Sequence, residues 1–377
     1  MSRDVSLVTT SGVRALSAAR SYDLCPHIGL IRPMISLPQC LIFLLPFALA
    51  CSSHDESVRT TVANGSIATA SNASRAGDTT AVAGSRAPNK MGRIPVLMYH
   101  LIGDHESEWG RERGNFRRDL ELLYERGYRP VNMVDVLDKK IDLAAGLSPV
   151  VFTFDDASPS QFRYIERDGK LVIDSTSGVG IWLDFAKTHP GWSNKAVFCM
   201  LPAASAGHAF FGDGKYEGQK KEWRFLKVKQ LADMGFELCA HTLWHAQLNR
   251  YSDAVVQEQI ARGALAIDSA VPGYKIRSFA LPLGIWPKNR ALAKSGSWTD
   301  PKTGRTVHYD FDAIFEVWGS PVPSPYSPAF NPLSIQRVRV SGNSLTTVLD
   351  RLDRTNDRYV SDGTAVTVAQ KQAVPTP

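Results

Sequence analysis

Val150-Val151-Phe152-Thr153-Phe154-Asp155-Asp156 is a β-branched and aromatic run that follows Pro149 and ends in two adjacent carboxylates. A short run of this kind reads as a buried strand. Two acidic groups at its end are costly to desolvate unless something at the strand mouth uses their charge. Downstream, Gly235-Phe236-Glu237-Leu238-Cys239-Ala240-His241-Thr242-Leu243-Trp244-His245 is a second strand-like run, closing on a His-Thr-x-x-His pair. One carboxylate with two imidazoles is a ligand set for Zn²⁺ or a similar first-row ion, with a fourth position left for water. Taken singly, an Asp-Asp is more often a turn or cap, and a His-x-x-x-His more often solvated or packed in a core. Each closing a predicted strand, the two reinforce each other.

Strand and helix alternate on either side of these runs. Ile94 to His100 reads as a strand with a histidine at its end. Phe116, Leu120, Leu123 and Tyr124 keep helical spacing up to a stop at Gly127. Val131 to Leu137 reads as a short strand turning into a helix. Tyr164 to Ile173 carries a hairpin signature around Asp168-Gly169. Helices are predicted over Gly180 to Thr188 and Trp223 to Met234, and another from a Ser252-Asp253 cap through Ala266. Ala196 to Met200, Ala313 to Val317 and Leu333 to Val340 read as strands, with a polar loop insertion over 297–308 and a short helix over 345–358. This alternation predicts an α/β fold.

In order and context, Thr153-Phe154-Asp155-Asp156 and His241-Thr242-x-x-His245 resemble the first two motifs of the NodB-homology polysaccharide deacetylases, carbohydrate esterase family four. The resemblance covers roughly residues 94 to 345. It implies a distorted (β/α) barrel of the glycoside hydrolase–deacetylase type, with Asp155, Asp156 and His241 gathered at the C-terminal ends of the strands. Ile276 to Pro287 resembles the family's third motif, in which an Arg and an aromatic commonly stand at the positions of Ala280 and Leu283. Without that Arg, the orientation of the catalytic aspartate must come from elsewhere. Phe-Ala-x-Pro-x-Gly and the opening Met98-Tyr99-His100 are similar to the branch that contains poly-N-acetylglucosamine deacetylases. The family's glycine after the second aspartate is replaced by Ala157, and its late Leu-x-His motif is absent.

The resemblance implies metal-dependent removal of N-acetyl groups from an amino-sugar polysaccharide. Asp156, His241 and His245 would hold the ion, Zn²⁺ first and Co²⁺ or Ni²⁺ next. A bound divalent ion lowers the pKa of its water to about 7 and polarises the carbonyl. Asp155, which diverges from its neighbour at the strand end, would be the general base. His100 is the candidate general acid in place of the missing late histidine. Thr242 would fix the loop between the two imidazoles. Pro282 and Leu283 mark a candidate oxyanion position through the backbone N–H near Leu283, and Trp244 and Trp286 are candidates for stacking on a sugar ring. Two rival readings keep the fold: a carbohydrate-binding pseudoenzyme, or a metal-dependent esterase or amidase acting on peptidoglycan or a small acylated molecule.

With 377 residues and 44% hydrophobic content the chain can bury a full core. A net charge of +6 without a basic block interleaved with aromatics gives no sign of nucleic-acid binding. Residues 1–51 read as a leader, with Met34 an alternative start. The apolar run to Ala50 fits a signal-peptide core better than a membrane helix, and Ala48-Leu49-Ala50-Cys51 resembles a lipoprotein cleavage site. A lipid on Cys51 would anchor an exported enzyme in the periplasm or at the cell surface. Residues 52–90, rich in Ser, Thr, Ala and Gly, read as a flexible linker. The catalytic domain is expected over 91–360 and a disordered tail over 361–377. The five cysteines form no CxxC pair, and Cys199 and Cys239, each inside an apolar run, are expected as buried free thiols.

Overall fold

The computed structural model describes residues 86–203, 209–214 and 218–364, all within one unit that runs from Ser74 to Pro377. The leader, Cys51 and the linker up to residue 85 lie outside the described residues. The barrel strands are β1 (Val96–Tyr99), β2 (Tyr128–Pro130), β3 (Ser148–Phe154), β4 (Val197–Met200), β5 (Glu237–Ala240), β6 (Ser278–Ala280), β7 (Ala313–Phe315) and β8 (Val338–Arg339). They form one sheet in the order β7-β6-β5-β4-β3-β1-β8, with β2 beside the first half of β3. Every pairing in it is parallel. The sheet curls on itself: Ile335 bridges to Phe315 of β7, and three residues later Val338 pairs with Leu97 of β1. This is the distorted (β/α) barrel that the resemblance implies, built on the α/β alternation read from the sequence.

Among the described residues five longer helices pack outside: α1 (Arg113–Glu125), α2 (Gly178–Thr188), α3 (Arg224–Asp233), α4 (Asp253–Ala270) and α5 (Ser344–Arg354). The period of two along β3 sorts its side chains. Val150, Phe152 and Phe154 join the core shared with Phe116, Leu120 and Leu123 of α1, while Val151 packs inside with Val197, Cys199, Cys239 and Ala280. Thr153 and Asp155 continue the inward series, so the pleat that buries Val151 also carries Asp155 into the barrel mouth. The caps follow the sequence. Glu112 accepts from the N–H groups of Gly114 and Asn115 at the start of α1, and Ser252 accepts from that of Val255 at the start of α4.

Several boundaries differ from the sequence reading. The second strand lies over Tyr128–Pro130, ahead of a helix at Met133–Leu137, so Val131 follows the strand. The 297–308 insertion is a hairpin in which Ser295–Thr299 pairs with Thr306–Asp310; Trp298, Val307 and buried Tyr309 seat it on the core. Helix α4 runs four residues past Ala266, because Ile267 and Ala270 remain buried. At the termini, Asn89 bridges to Val360 and Ser361 is buried, bonded to Leu147 and Leu143. Residues 86–90 of the expected linker and 361–364 of the expected tail therefore lie among the described residues. Residues 365–377 lie outside the described residues.

The cysteine expectation is corrected. Cys199 and Cys239 stand opposite each other on neighbouring strands β4 and β5 and are joined as a disulfide, with Cα atoms 4.2 Å apart. Two separate apolar runs do not reveal the strand register, and register is what brings the thiols together. Closing a loop of 40 residues contributes about 3–4 kcal/mol in the chain-entropy account. Among the described residues no helix is long and apolar enough to cross a membrane.

Candidate functional site

The C-terminal ends of β1, β3, β5, β6 and β7 open into one cleft of about 270 Å³, lined by His100, Leu101, Trp109, Asp155, Asp156, His241, His245, Leu281, Leu283 and Val317. A larger groove of about 360 Å³ lies between α4 and the Thr306–Asp310 strand. It holds no triad of ligating side chains, and the chemistry converges in the first.

Asp156, His241 and His245 bring their ligating atoms within 4.8 Å of one another. Asp156 Oδ1 stands 3.3 Å from His241 Nε2 and 3.7 Å from His245 Nε2. His241 Nδ1 lies 2.8 Å from the Ala280 carbonyl oxygen and must donate to it, so in the neutral ring Nε2 carries the lone pair and faces the carboxylate. Burial alone would lower the His241 pKa, but Asp156, with Asp155, raises it. Asp156 Oδ1 and His241 Nε2 are both buried without a hydrogen-bond partner. Two acceptors facing each other need a proton or a cation between them, and a third acceptor on His245 favours the cation. A divalent ion that prefers N and O ligands fits this donor set. Burial, reinforced by the charge of His241, lowers the His245 pKa to about 4, and burial outweighs the carboxylates in lowering that of His100.

Asp155 is held differently. Arg337, on the segment leading into β8, donates from Nη1 to Oδ1 and from Nη2 to Oδ2, each at 2.7 Å. It donates further to Thr153 Oγ1 at 3.0 Å and to the Glu316 carbonyl at 2.6 Å. Both partners are buried, at 1% exposure for Asp155 and 0% for Arg337. Burial would raise the Asp155 carboxyl, but Arg337, joined by His241 and His100, holds its pKa below the ordinary carboxylate value. His100 Nε2 lies 4.0 Å from Asp155 Oδ2, and the His100 ring packs edge-on against Trp109 with centroids 4.8 Å apart.

The loops that aim these groups are strained. Asp156, Ala157, Thr242, His245 and Leu283 all have left-handed backbone, with φ between 49° and 76°, a conformation costing about 1 kcal/mol or more for a residue other than glycine. Ala157 carries this cost where the resemblance expects glycine. Thr242 Oγ1 accepts from the N–H groups of His245 and Ala246 at 3.1 and 3.3 Å, closing the turn between the imidazoles. Helix α4 supports that turn at close range, since a Cβ on Gly263 would lie 2.8 Å from the Thr242 carbonyl. Gly284, at φ +67°, sits where a Cβ would meet Val317 at 3.0 Å, which accounts for the glycine after Pro282-Leu283.

Of the residues singled out in sequence, Asp155, Asp156, His100, His241, His245 and Leu283 line the cleft. Pro282 is buried behind Leu283. Trp244 is exposed, with its backbone N–H bonded to Gln259, and does not line the cleft. Trp286 is also outside it: the Arg290 guanidinium covers one ring face at 3.7 Å, and the indole N–H donates to Glu316. Trp109 is the tryptophan that lines the cleft, with Trp318 beside it at 5.9 Å between centroids, and the Arg339 guanidinium lies over both rings at 5.1 and 4.5 Å. Sequence reading passed over Arg337. A signal existed: in Arg337-Val338-Arg339-Val340 an arginine must point into the barrel, and a buried guanidinium needs a carboxylate.

The arrangement is that of a curled parallel sheet with a His/Asp centre at its mouth. Residues 185–296 match the family model described as polysaccharide deacetylase, a stretch that carries His241, Thr242, His245 and Phe279 to Gly284 but begins after Asp156. The resemblance to that family therefore stands. No curated protein matches the sequence. Among solved structures, a Streptococcus pyogenes deacetylase, PplD, in complex with acetate is 18% identical over 70% of this chain and 98% of its own, with a TM-score of 0.48. IcaB from Ammonifex degensii is 19% identical over 69% and 96%, at 0.47. A polysaccharide deacetylase from Bacillus cereus is 17% identical over 70% and 69%, also at 0.47.

Proposed function

We propose that this protein is a metal-dependent hydrolase that removes N-acetyl groups from an amino-sugar polysaccharide. The observation that carries the reading is the pair of unmatched acceptors, Asp156 Oδ1 and His241 Nε2, with His245 beside them, next to an Asp155 carboxylate clamped by Arg337. Asp156, His241 and His245 would hold Zn²⁺ or a related ion. When bound, that ion supplies an acidified water and a polarised carbonyl.

The residues of the chain supply the rest. Asp155, kept ionised by Arg337, takes the proton of the attacking water. His100 delivers a proton to the departing amine nitrogen. The resting imidazole is neutral and must first collect that proton, and Asp155 Oδ2 at 4.0 Å is the adjacent carboxylate that will have taken one from water. The left-handed turn at Leu283 brings its backbone to the cleft, where an N–H would meet the developing oxyanion. Trp109 and Trp318, stiffened by Arg339, form a wall for the apolar face of a neighbouring sugar. Exposure of Leu283 and Trp318 at 54% each leaves the rim open to a chain longer than one residue, which favours a polymer over a small acylated molecule. The leader read from the sequence and the Cys199–Cys239 disulfide both suit action in an oxidising compartment, on an exported or envelope glycan.

The test is acetate release by the full chain from β-1,4 and β-1,6 N-acetylglucosamine oligomers, with chelator, with Zn²⁺ or Co²⁺ restored, and with Asp155→Asn as control. Release that requires metal and is lost in the variant supports the reading. A tightly held metal without release from either oligomer points to a different acyl substrate. Neither metal nor release leaves a binding protein.

A further inference from the structure

The ladder between β1 and β3 ends with the Asp155 N–H donating to the Tyr99 carbonyl at 3.0 Å. The carbonyls of His100 and Asp155 lie just past that last rung. Gln161 reaches both: its Nε2 donates to the His100 carbonyl at 2.6 Å and to the Asp155 carbonyl at 2.5 Å. A side-chain amide nitrogen has two hydrogens, so one Gln can serve two carbonyls where a carboxylate or hydrocarbon of the same length serves neither. The side chain is fully buried, and its own Oε1 has no hydrogen-bond partner. An amide placed for packing alone has no reason to leave that oxygen unmatched, whereas one placed for its two donors accepts the cost.

The backbone of Gln161 is anchored at both ends. Its N–H donates to the Ser158 carbonyl at 3.0 Å, and its carbonyl accepts from the Val179 N–H at 2.8 Å, at the head of α2. Arg337 fixes the head of the Asp155 carboxylate but makes no bond to His100. Gln161 ties the two backbones from which the carboxylate and the imidazole spring.

We propose that Gln161 is a positioning residue that adds one side-chain rung to the β1–β3 ladder and so sets His100 against Asp155. Its kinetic consequence rests on the proposed function above, in which these two groups hand on a proton. A misplacement of about 1 Å between such groups can cost on the order of 100-fold in rate.

The experiment compares the full-chain wild type with Gln161→Met, which keeps length and loses both donors. In hydrogen exchange, the Asp155 amide is expected to exchange about tenfold faster in the variant while the amides of β4 and β5 stay unchanged, a local opening rather than a global one. In acetate release, kcat is expected to fall between about 10-fold and 100-fold with KM held within about twofold. In a His100→Ala background the same substitution should cost less than about threefold, because the pair it positions is already broken. Unchanged exchange at Asp155 overturns the proposal, as does an equal loss in both backgrounds. Should the wild type release no acetate, the deacetylase reading falls, and exchange alone then supports or overturns the tie. If Gln161→Met does not fold, Gln161→Glu keeps the shape. Its activity relative to wild type should decline as pH rises and the new carboxyl loses its proton, and a flat ratio overturns the proposal.

Discussion

Arg337 grips both carboxylate oxygens of Asp155 with bonds of 2.7 Å across 182 residues of sequence. In the family whose motifs this sequence resembles, the third motif commonly carries the arginine for this task, and here that position is Ala280. The guanidinium arrives instead from the segment that joins the two edges of the curled sheet. Arg337→Met leaves a buried carboxylate without its partner and should lower stability by about 3–5 kcal/mol. Arg337→Met with Asp155→Asn should recover much of that loss, while each single variant loses at least about 100-fold in acetate release. Urea unfolding of the three variants measures the cycle. An Arg337→Met protein as stable as wild type would show that the pair does not support the fold.

Metal should stabilise the protein through Asp156, His241 and His245. At free Zn²⁺ about 100 times its dissociation constant, the folded state gains about 2.7 kcal/mol. Thermal unfolding with and without chelator should show this as a higher midpoint for the loaded protein. His245→Ala should abolish most of the difference while keeping the midpoint of the metal-free protein within a few degrees. A difference that persists in His245→Ala would place the ion elsewhere.

The aromatic wall should act on binding rather than chemistry. Trp318→Ala removes one ring of the pair bridged by Arg339 and is expected to raise KM for oligomers about fivefold to tenfold, with kcat changed less than about twofold. Steady-state kinetics on oligomers and on a single N-acetylglucosamine distinguishes the cases. An equal effect on the monosaccharide would argue against a neighbouring-sugar subsite.

Glu237 gives a pH dependence at the opposite end of the barrel. It is fully buried, accepting from the Val134 N–H at 3.0 Å and from Ser278 Oγ at 2.9 Å, and burial raises its pKa to about 7. Between the ordinary glutamate value and about 7 the folded state holds a proton that the unfolded state has released. Stability therefore declines as pH rises through this window and levels off above it. Glu237→Gln keeps both bonds with its oxygen on Val134 and its nitrogen on Ser278. Relative to wild type it should gain on the order of 2 kcal/mol between pH 5 and pH 8. Urea titrations at the two pH values provide the comparison, and a pH-independent difference would exclude Glu237 as its source.

Motif residues were legible because their cost is local. A carboxylate pair at the end of Val150 to Phe154 and two histidines after Leu238 to Ala240 are conspicuous wherever the chain goes, since apolar strands do not end on charge without use. Trp286 and Trp244 are near those motifs in sequence, but nearness in sequence does not set where a ring points. Trp286 turns toward Arg290 and Glu316, while Trp109 reaches the cleft from the loop after β1.

The alternation of strand and helix, the inward pleat that ends at Asp155, and the candidate ligands Asp156, His241 and His245 were all legible in the chain. Each follows from periodicity or from charge placed at a strand end, and those are properties of a short stretch. That Arg337 holds Asp155, that Gln161 bonds the carbonyls of both His100 and Asp155, that Cys199 meets Cys239, and that Trp109 stands beside Trp318 became visible in the folded chain alone. These pairings depend on strand register and on how far the sheet curls. Both are set by packing of the whole barrel, which no single stretch of the chain encodes.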